Sequence, residues 1–141
     1  MRRLTLILIL SLACNVSVLA YADAELVVVT HKENPVGTMS RSQLIDLFMG
    51  KYVAYPDGRT ALPVDNNTLK SVFYSKLVGL SVARVNAYWS RIQFTGRARP
   101  PMEHADHQSI VDYVKVHKNA IAYIPKSQLT DELKVVFVFN E

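Results

Sequence analysis

Two stretches of this 141-residue chain carry residue types that can hold an anion. The first is Thr95-Gly96-Arg97-Ala98-Arg99-Pro100-Pro101, where Arg97 and Arg99 stand two apart in a segment that its Gly and paired Pro exclude from helix and central strand. Planar, forked guanidiniums on one exposed loop can converge on a phosphate or carboxylate, and loops are the usual home of binding residues. A solvated arginine pair is the competing reading. The second stretch is Asp65-Asn66-Asn67-Thr68, which precedes Leu69, Val72, Phe73 and Leu77 at helical spacing. The start of that helix offers unpaired amides and about half a positive charge to an anion, with Asn67 or Thr68 as side-chain donors. In the competing reading Asp65, Asn66 or Thr68 caps the helix and no ligand binds.

Other chemistry finds less support. His104 and His107 stand three apart beside Glu103 and Asp106, superficially a metal pair on adjacent helical turns. No further ligands have matching spacing, so a polar helix start with Asp106 as its cap is expected, and no metal or other cofactor. His31 and His117 are isolated. There is no Gly-x-Ser-x-Gly elbow and no phosphate-cradling glycine loop with lysine, and the one cysteine, Cys14, lies in the leader described below. The expectation is a protein that is not an enzyme.

The elements that must position these residues alternate between strand and helix. Leu26-Val27-Val28-Val29 is a continuous apolar run, as expected of a central strand covered on both faces. A polar loop, 31–38, leads to a helix with Ser40 as N-cap, Gln43 completing a capping box, and Leu44, Ile45, Leu47 and Phe48 on one face. Gly50 should end it. Pro56-Asp57-Gly58 predicts a turn, 61–64 a short strand, and Gly79 the close of the next helix. Ser81 caps a third helix with Val82, Val85, Trp89 and Ile92 on one face, the tryptophan being assigned to the core. A helix over 108–117 with Asn119 as a left-handed stop, a buried strand over 120–124 ended by Pro125, and a last strand over 134–139 complete the chain. The pattern predicts an α/β fold, a mixed sheet flanked by helices.

Compartment and size follow from the first residues and the composition. Arg2 and Arg3, an apolar core from Leu4 to Leu19, and small residues at Ala20, Ala22 and Ala24 form an export signal, residues 1–24, cut after Ala24. The run is shorter than the roughly 20 apolar residues of a membrane span. Lipid attachment at Cys14 is opposed by Ser11, which stands where such a signal carries leucine. The product, residues 25–141, suits a single domain that is periplasmic or secreted and has no cysteine for a disulfide. The chain's 16 Lys+Arg and 12 Asp+Glu, less Arg2, Arg3 and Asp23, leave it a net charge of +3. It has no lysine-rich run or basic stripe interleaved with aromatics, which argues against nucleic acid.

Four segments together resemble a known family: Leu44-Ile45-Asp46-Leu47-Phe48-Met49-Gly50-Lys51, Pro63-Val64-Asp65, Ala87-Tyr88-Trp89 and Ala120-Ile121-Ala122-Tyr123-Ile124-Pro125. In this order they resemble the periplasmic phosphate-binding subunits of ABC transporters. The chain is similar above all to the short single-lobe proteins of that superfamily, in which the 94–101 segment has a close counterpart. The resemblance implies one lobe of a type 2 periplasmic-binding-protein fold with its ligand at helix N-termini beside the sheet. It also implies a solute-binding function toward phosphate or a similar small oxyanion, linked to ABC transport. Asn66-Asn67-Thr68 stands where the family has a Ser-Gly-Thr type turn and lacks its glycine. The residues expected at the anion are therefore Asn66, Asn67, Thr68, Arg97 and Arg99. A membrane transporter or sensor, or a second copy in a homodimer, are the expected partners that would cover the site. The alternative is an interaction module that keeps the fold without the ligand.

Overall fold

The run Leu26-Val27-Val28-Val29 is apolar at every position because both of its faces are covered. It belongs to β1 (Leu26–His31), in which every residue is buried. Leu26 and Val28 enter one core, Val27 and Val29 the other. The computed structural model describes residues 25–140, so the export signal expected over residues 1–24, with Cys14 and the cut after Ala24, lies outside the described residues.

The remaining elements follow in order. They are α1 (Arg41–Phe48), β2 (Leu62–Asn66), α2 (Lys70–Val78), α3 (Val82–Phe94), β3 (Met102–His104), α4 (His107–Val116), β4 (Ala120–Pro125) and β5 (Leu133–Val138). The sheet order is β3-β2-β4-β1-β5. β2 runs parallel to β3 and β4, while β1 is antiparallel to β4 and β5, so the sheet is mixed as expected. Leu44, Phe48, Phe73, Leu77 and Trp89 from α1, α2 and α3 fill the core on one face. Ile110, Val111 and Val114 of α4 fill the other. The described residues form two cores and five strands.

Local signals explain most boundaries. Ser40 and Gln43 form the reciprocal capping box of α1, and Ser81 accepts the Arg84 amide at the start of α3. Three expectations fail. Asp65, Asn66 and Thr68 do not cap α2: β2 runs on through Asn66 because Asp65 and Asn66 pair in register with Glu103 and His104 of β3, and the N-cap position falls to Leu69. β3 was not expected, being three residues directly after Pro100-Pro101. Asn119 is not left-handed; α4 ends at an extended His117, and no non-glycine residue among those described has positive φ.

Gly50 and Gly79 follow helices with almost the same φ, +70° and +69°. A Cβ at Gly79 would meet nothing within 4 Å, whereas at Gly50 it would lie 2.5 Å from the buried Trp89 ring. Gly79→Ala should therefore cost only the dihedral term, about 1 kcal/mol. Gly50→Ala should cost at least about 2 kcal/mol more, because an indole locked in the core cannot retreat without opening a cavity. Urea unfolding of the two variants checks this; equal losses would show that Trp89 does not fix the α1 exit.

Candidate functional site

In open α/β sheets ligands gather beyond the carboxyl ends of the parallel strands. Here that end is formed by Asn66 of β2, His104 of β3 and the turn that opens α2. Beneath it Asp65 is 1% exposed. Its carboxylate accepts hydrogen bonds from the Tyr74 hydroxyl at 2.9 Å and the Tyr123 hydroxyl at 3.0 Å, with the Lys70 ammonium 3.8 Å away. Burial outweighs these donors and pushes the Asp65 carboxyl up to about 6. Burial and the neighbouring Asp65 charge raise both tyrosine hydroxyls. Lys70 also pairs with Glu103, so one cation is shared between two carboxylates.

Asn66, fully buried, organises the turn. Its Oδ1 accepts the Thr68 amide at 3.1 Å, which fixes the orientation of the side-chain amide. Nδ2 then faces the Tyr123 carbonyl at 3.3 Å and His107 Nδ1 at 2.8 Å. Since Nδ2 can only donate, His107 Nδ1 accepts and its proton resides on Nε2. The Asn67 amide donates to the His104 carbonyl, and Thr68 Oγ1 donates to the Ala105 carbonyl at 3.1 Å. The turn is thus stitched to the segment between β3 and α4, leaving the Asn67 side chain exposed beside the start of α2.

That start differs from the other helix starts. Ser40, Ser81 and Asp106 cap α1, α3 and α4 with side-chain oxygens, while Leu69 gives α2 no side-chain cap. The first-turn amides of Lys70, Ser71 and Val72 point out of the helix beside an exposed Ser71.

Arg97 and Arg99 lie elsewhere. Both are exposed, and they line a depression with Ala61, Leu62 and Pro63, at the beginning of β2 rather than its end. The length of β2 separates them from Asn66, on the order of 13 Å at about 3.3 Å per residue. The structure therefore brings Asn66, Asn67 and Thr68 together but does not bring the arginines to them. His104 and His107 occupy different elements, β3 and α4, rather than one helix. The His104 ring packs on Tyr113, which stacks on His117 at 3.9 Å. Among the described residues no group of three or more His, Cys, Asp or Glu is placed to hold a metal ion, and no helix is long and apolar enough to cross a membrane.

The Asp65 shift has a measurable consequence. Its folded-state value lies above that of a free carboxylate, so between roughly pH 4 and 6 the fold binds more protons than the unfolded chain, and this group's contribution to stability falls as pH rises through that window. Relative to Asp65→Asn, which stays neutral, the native chain should lose on the order of 2 to 3 kcal/mol between pH 4 and pH 7. Denaturant titrations of both chains across that range test it; a stability difference that is flat in pH would mean the carboxylate is as well solvated in the fold as outside it.

No family model and no curated protein sequence matches the chain. Solved structures do. A protein from Clostridium perfringens, described as a phosphate ABC transporter substrate-binding protein and seen with bound phosphate, superposes with a TM-score of 0.64 at 19% identity, over 79% of this chain and 44% of its own. An ABC-type phosphate transport receptor from Vibrio cholerae gives 0.62 at 15% identity, over 79% and 45%. PstS from Borrelia burgdorferi gives 0.55 at 12% identity, over 79% and 46%. The chain thus spans less than half the length of each of these structures. Its five-stranded mixed sheet, flanked by α1, α2 and α3 on one face and α4 on the other, is the fold of a single lobe of a periplasmic binding protein of the phosphate-receptor type.

Proposed function

We propose that this chain is an exported, non-catalytic binding protein whose single lobe takes phosphate or a similar small oxyanion at the turn that opens α2. The observation that carries this reading is the uncapped N-terminus of α2, beyond the carboxyl end of β2, on a fold shared with phosphate receptors. An anion there meets the amides of Lys70, Ser71 and Val72, the exposed side chains of Asn67 and Ser71, and the positive end of the helix dipole. Lys70, lying between Asp65 and Glu103, offsets the repulsion from the carboxylates below. The turn has no glycine to let the backbone wrap the anion, and the described lobe by itself leaves the anion's outer side in water, so the reading implies modest affinity unless another surface covers the site. A second copy, or a membrane transporter or sensor of the phosphate ABC system, would supply that cover.

A second reading has its own support: an interaction module that keeps the fold without the ligand. Asn66 is wholly committed to Thr68, His107 and Tyr123, and so has no donor left for an anion.

The two readings divide on Ser71→Glu. Ser71 is exposed in the first turn of α2, where a carboxylate satisfies the helix end and stabilises it by about 0.3 to 1 kcal/mol. If phosphate binds there, the same carboxylate excludes it. The native chain should gain about 2.7 kcal/mol at 100 times its dissociation constant for phosphate. Ser71→Glu should be slightly more stable without phosphate and gain nothing with it. Calorimetric titration and thermal melts with phosphate and sulfate decide this; a native chain that is folded and gives no heat with either anion leaves the interaction module as the function.

A further inference from the structure

The loop between α3 and β3 places Arg97 and Arg99 on the walls of two adjoining depressions. One, of about 630 Å³, is lined among others by Lys51, Tyr52, Arg97, Arg99, Pro101 and Met102. The other, of about 730 Å³, is lined by Gln93, Gly96, Ala98 and the same two arginines. No aspartate or glutamate lines either. A smaller cleft of about 90 Å³ that shares Tyr52 is lined by Asp46. Among the described residues, Lys51, Arg97 and Arg99 form no ion pair, while Lys70, Lys115, Lys118 and Lys126 each have a carboxylate partner.

Apolar surface is left open among these cations. Phe94, the last residue of α3, is 94% exposed, Tyr52 60% and Met102 49%. The ends of α1 and α3 nearby are C-terminal and electronegative, which accounts for cations gathering here. It does not account for large apolar side chains kept in water beside them. Met102 also begins β3, one of the two edge strands of the described sheet, whose outer edge can accept an extended chain.

We infer that this surface docks an extended acidic segment of a partner protein, with carboxylates on Arg97, Arg99 and Lys51 and apolar side chains against Tyr52, Met102 and the Pro100-Pro101 wall. The inference is independent of phosphate binding at α2, which lies at the other end of β2. Charge complementarity selects the occupant: forked guanidiniums pair with carboxylates in two-point contacts. The concavity accepts side chains standing out from a peptide better than it accepts a flat membrane. A free small anion would leave the apolar walls unused.

The test uses the chain from residue 25 onward, which contains both cores and the whole sheet, and a fluorescein-labelled ten-residue peptide of alternating glutamate and leucine. Fluorescence anisotropy should show saturable binding that the Arg97→Glu, Arg99→Glu double variant weakens at least tenfold. Lys51→Ala should weaken it about threefold, and Ser71→Glu should leave it unchanged. Arg97→Lys, Arg99→Lys, which keeps charge and loses the fork, should fall between the native chain and the reversed variant. A lysine-leucine peptide should not bind. Circular dichroism melts establish that the loop variants remain folded. The proposal is overturned if the acidic peptide does not saturate, if charge reversal leaves its affinity intact, or if vesicles containing phosphatidylglycerol bind through the arginines while the peptide does not.

Discussion

A carboxylate buried under the sheet end is the constraint on which the rest of this lobe depends. Asp65 belongs to β2, Tyr74 to α2 and Tyr123 to β4, so two hydroxyl hydrogen bonds tie a strand, its following helix and the neighbouring strand at a single point. An unpartnered buried charge is costly enough to unfold a small domain, so both tyrosines must stay in place. Phe73 stacks on Tyr123 at 3.6 Å and meets Phe48 edge-on at 4.8 Å, so the aromatic core of the helical face clamps the ring that holds Asp65. The next residue, Asn66, inherits that rigidity and passes it to the turn through its amide. The direction of the α2 N-terminus follows from where Asp65 can be satisfied.

A helix held so firmly at its base does not need a side-chain cap to form. Its far end is served as well: the Arg41 guanidinium donates to the carbonyls of Lys76 and Leu77 in the last turn of α2 while lying over the Phe137 and Phe139 rings. The negative pole is therefore compensated from within the fold, and the positive pole is left to solvent or to whatever anion reaches it. A capped α2 would be slightly more stable, as α1, α3 and α4 are at their starts. Tertiary anchoring by Phe73, Tyr74 and Leu77 makes the missing cap tolerable.

The sequence disclosed those parts of the architecture whose cause is local. The β1 run, the Ser40–Gln43 box, the Ser81 and Asp106 caps, the Gly79 stop and the burial of Trp89 each follow from a few adjacent residues. What stayed hidden was set by partners distant in the chain. Asp65 and Asn66 have the composition of a helix cap, and only their pairing with Glu103 and His104 makes them strand. That strand, β3, is three residues long and too short to show a period. Tyr74 and Tyr123 fit their elements as apolar residues, and nothing local announces that both hydroxyls meet one carboxylate 9 and 58 residues away. Arg97 and Arg99 were legible as an exposed cationic loop. Their distance from Asn66 depends on β3 pairing parallel to β2, which carries the loop to the opposite end of the strand.

That parallel pairing also separates two kinds of surface on one small lobe. At the carboxyl end of β2 the positive pole of α2 stands over Asp65 and Glu103 with Lys70 shared between them, the place proposed for a small, hydrated anion. At the other end the C-termini of α1 and α3 are surrounded by Lys51, Arg97 and Arg99 among exposed apolar side chains, a setting for something larger and partly apolar. A two-lobed receptor can enclose its ligand by closing on itself. The lobe described here spans less than half the length of the phosphate receptors it superposes on. An anion held at the start of α2 would therefore keep one side open to a covering surface, and the cationic, partly apolar surface around Arg97 and Arg99 lies at the opposite end of the same strand, so that neither would obstruct the other.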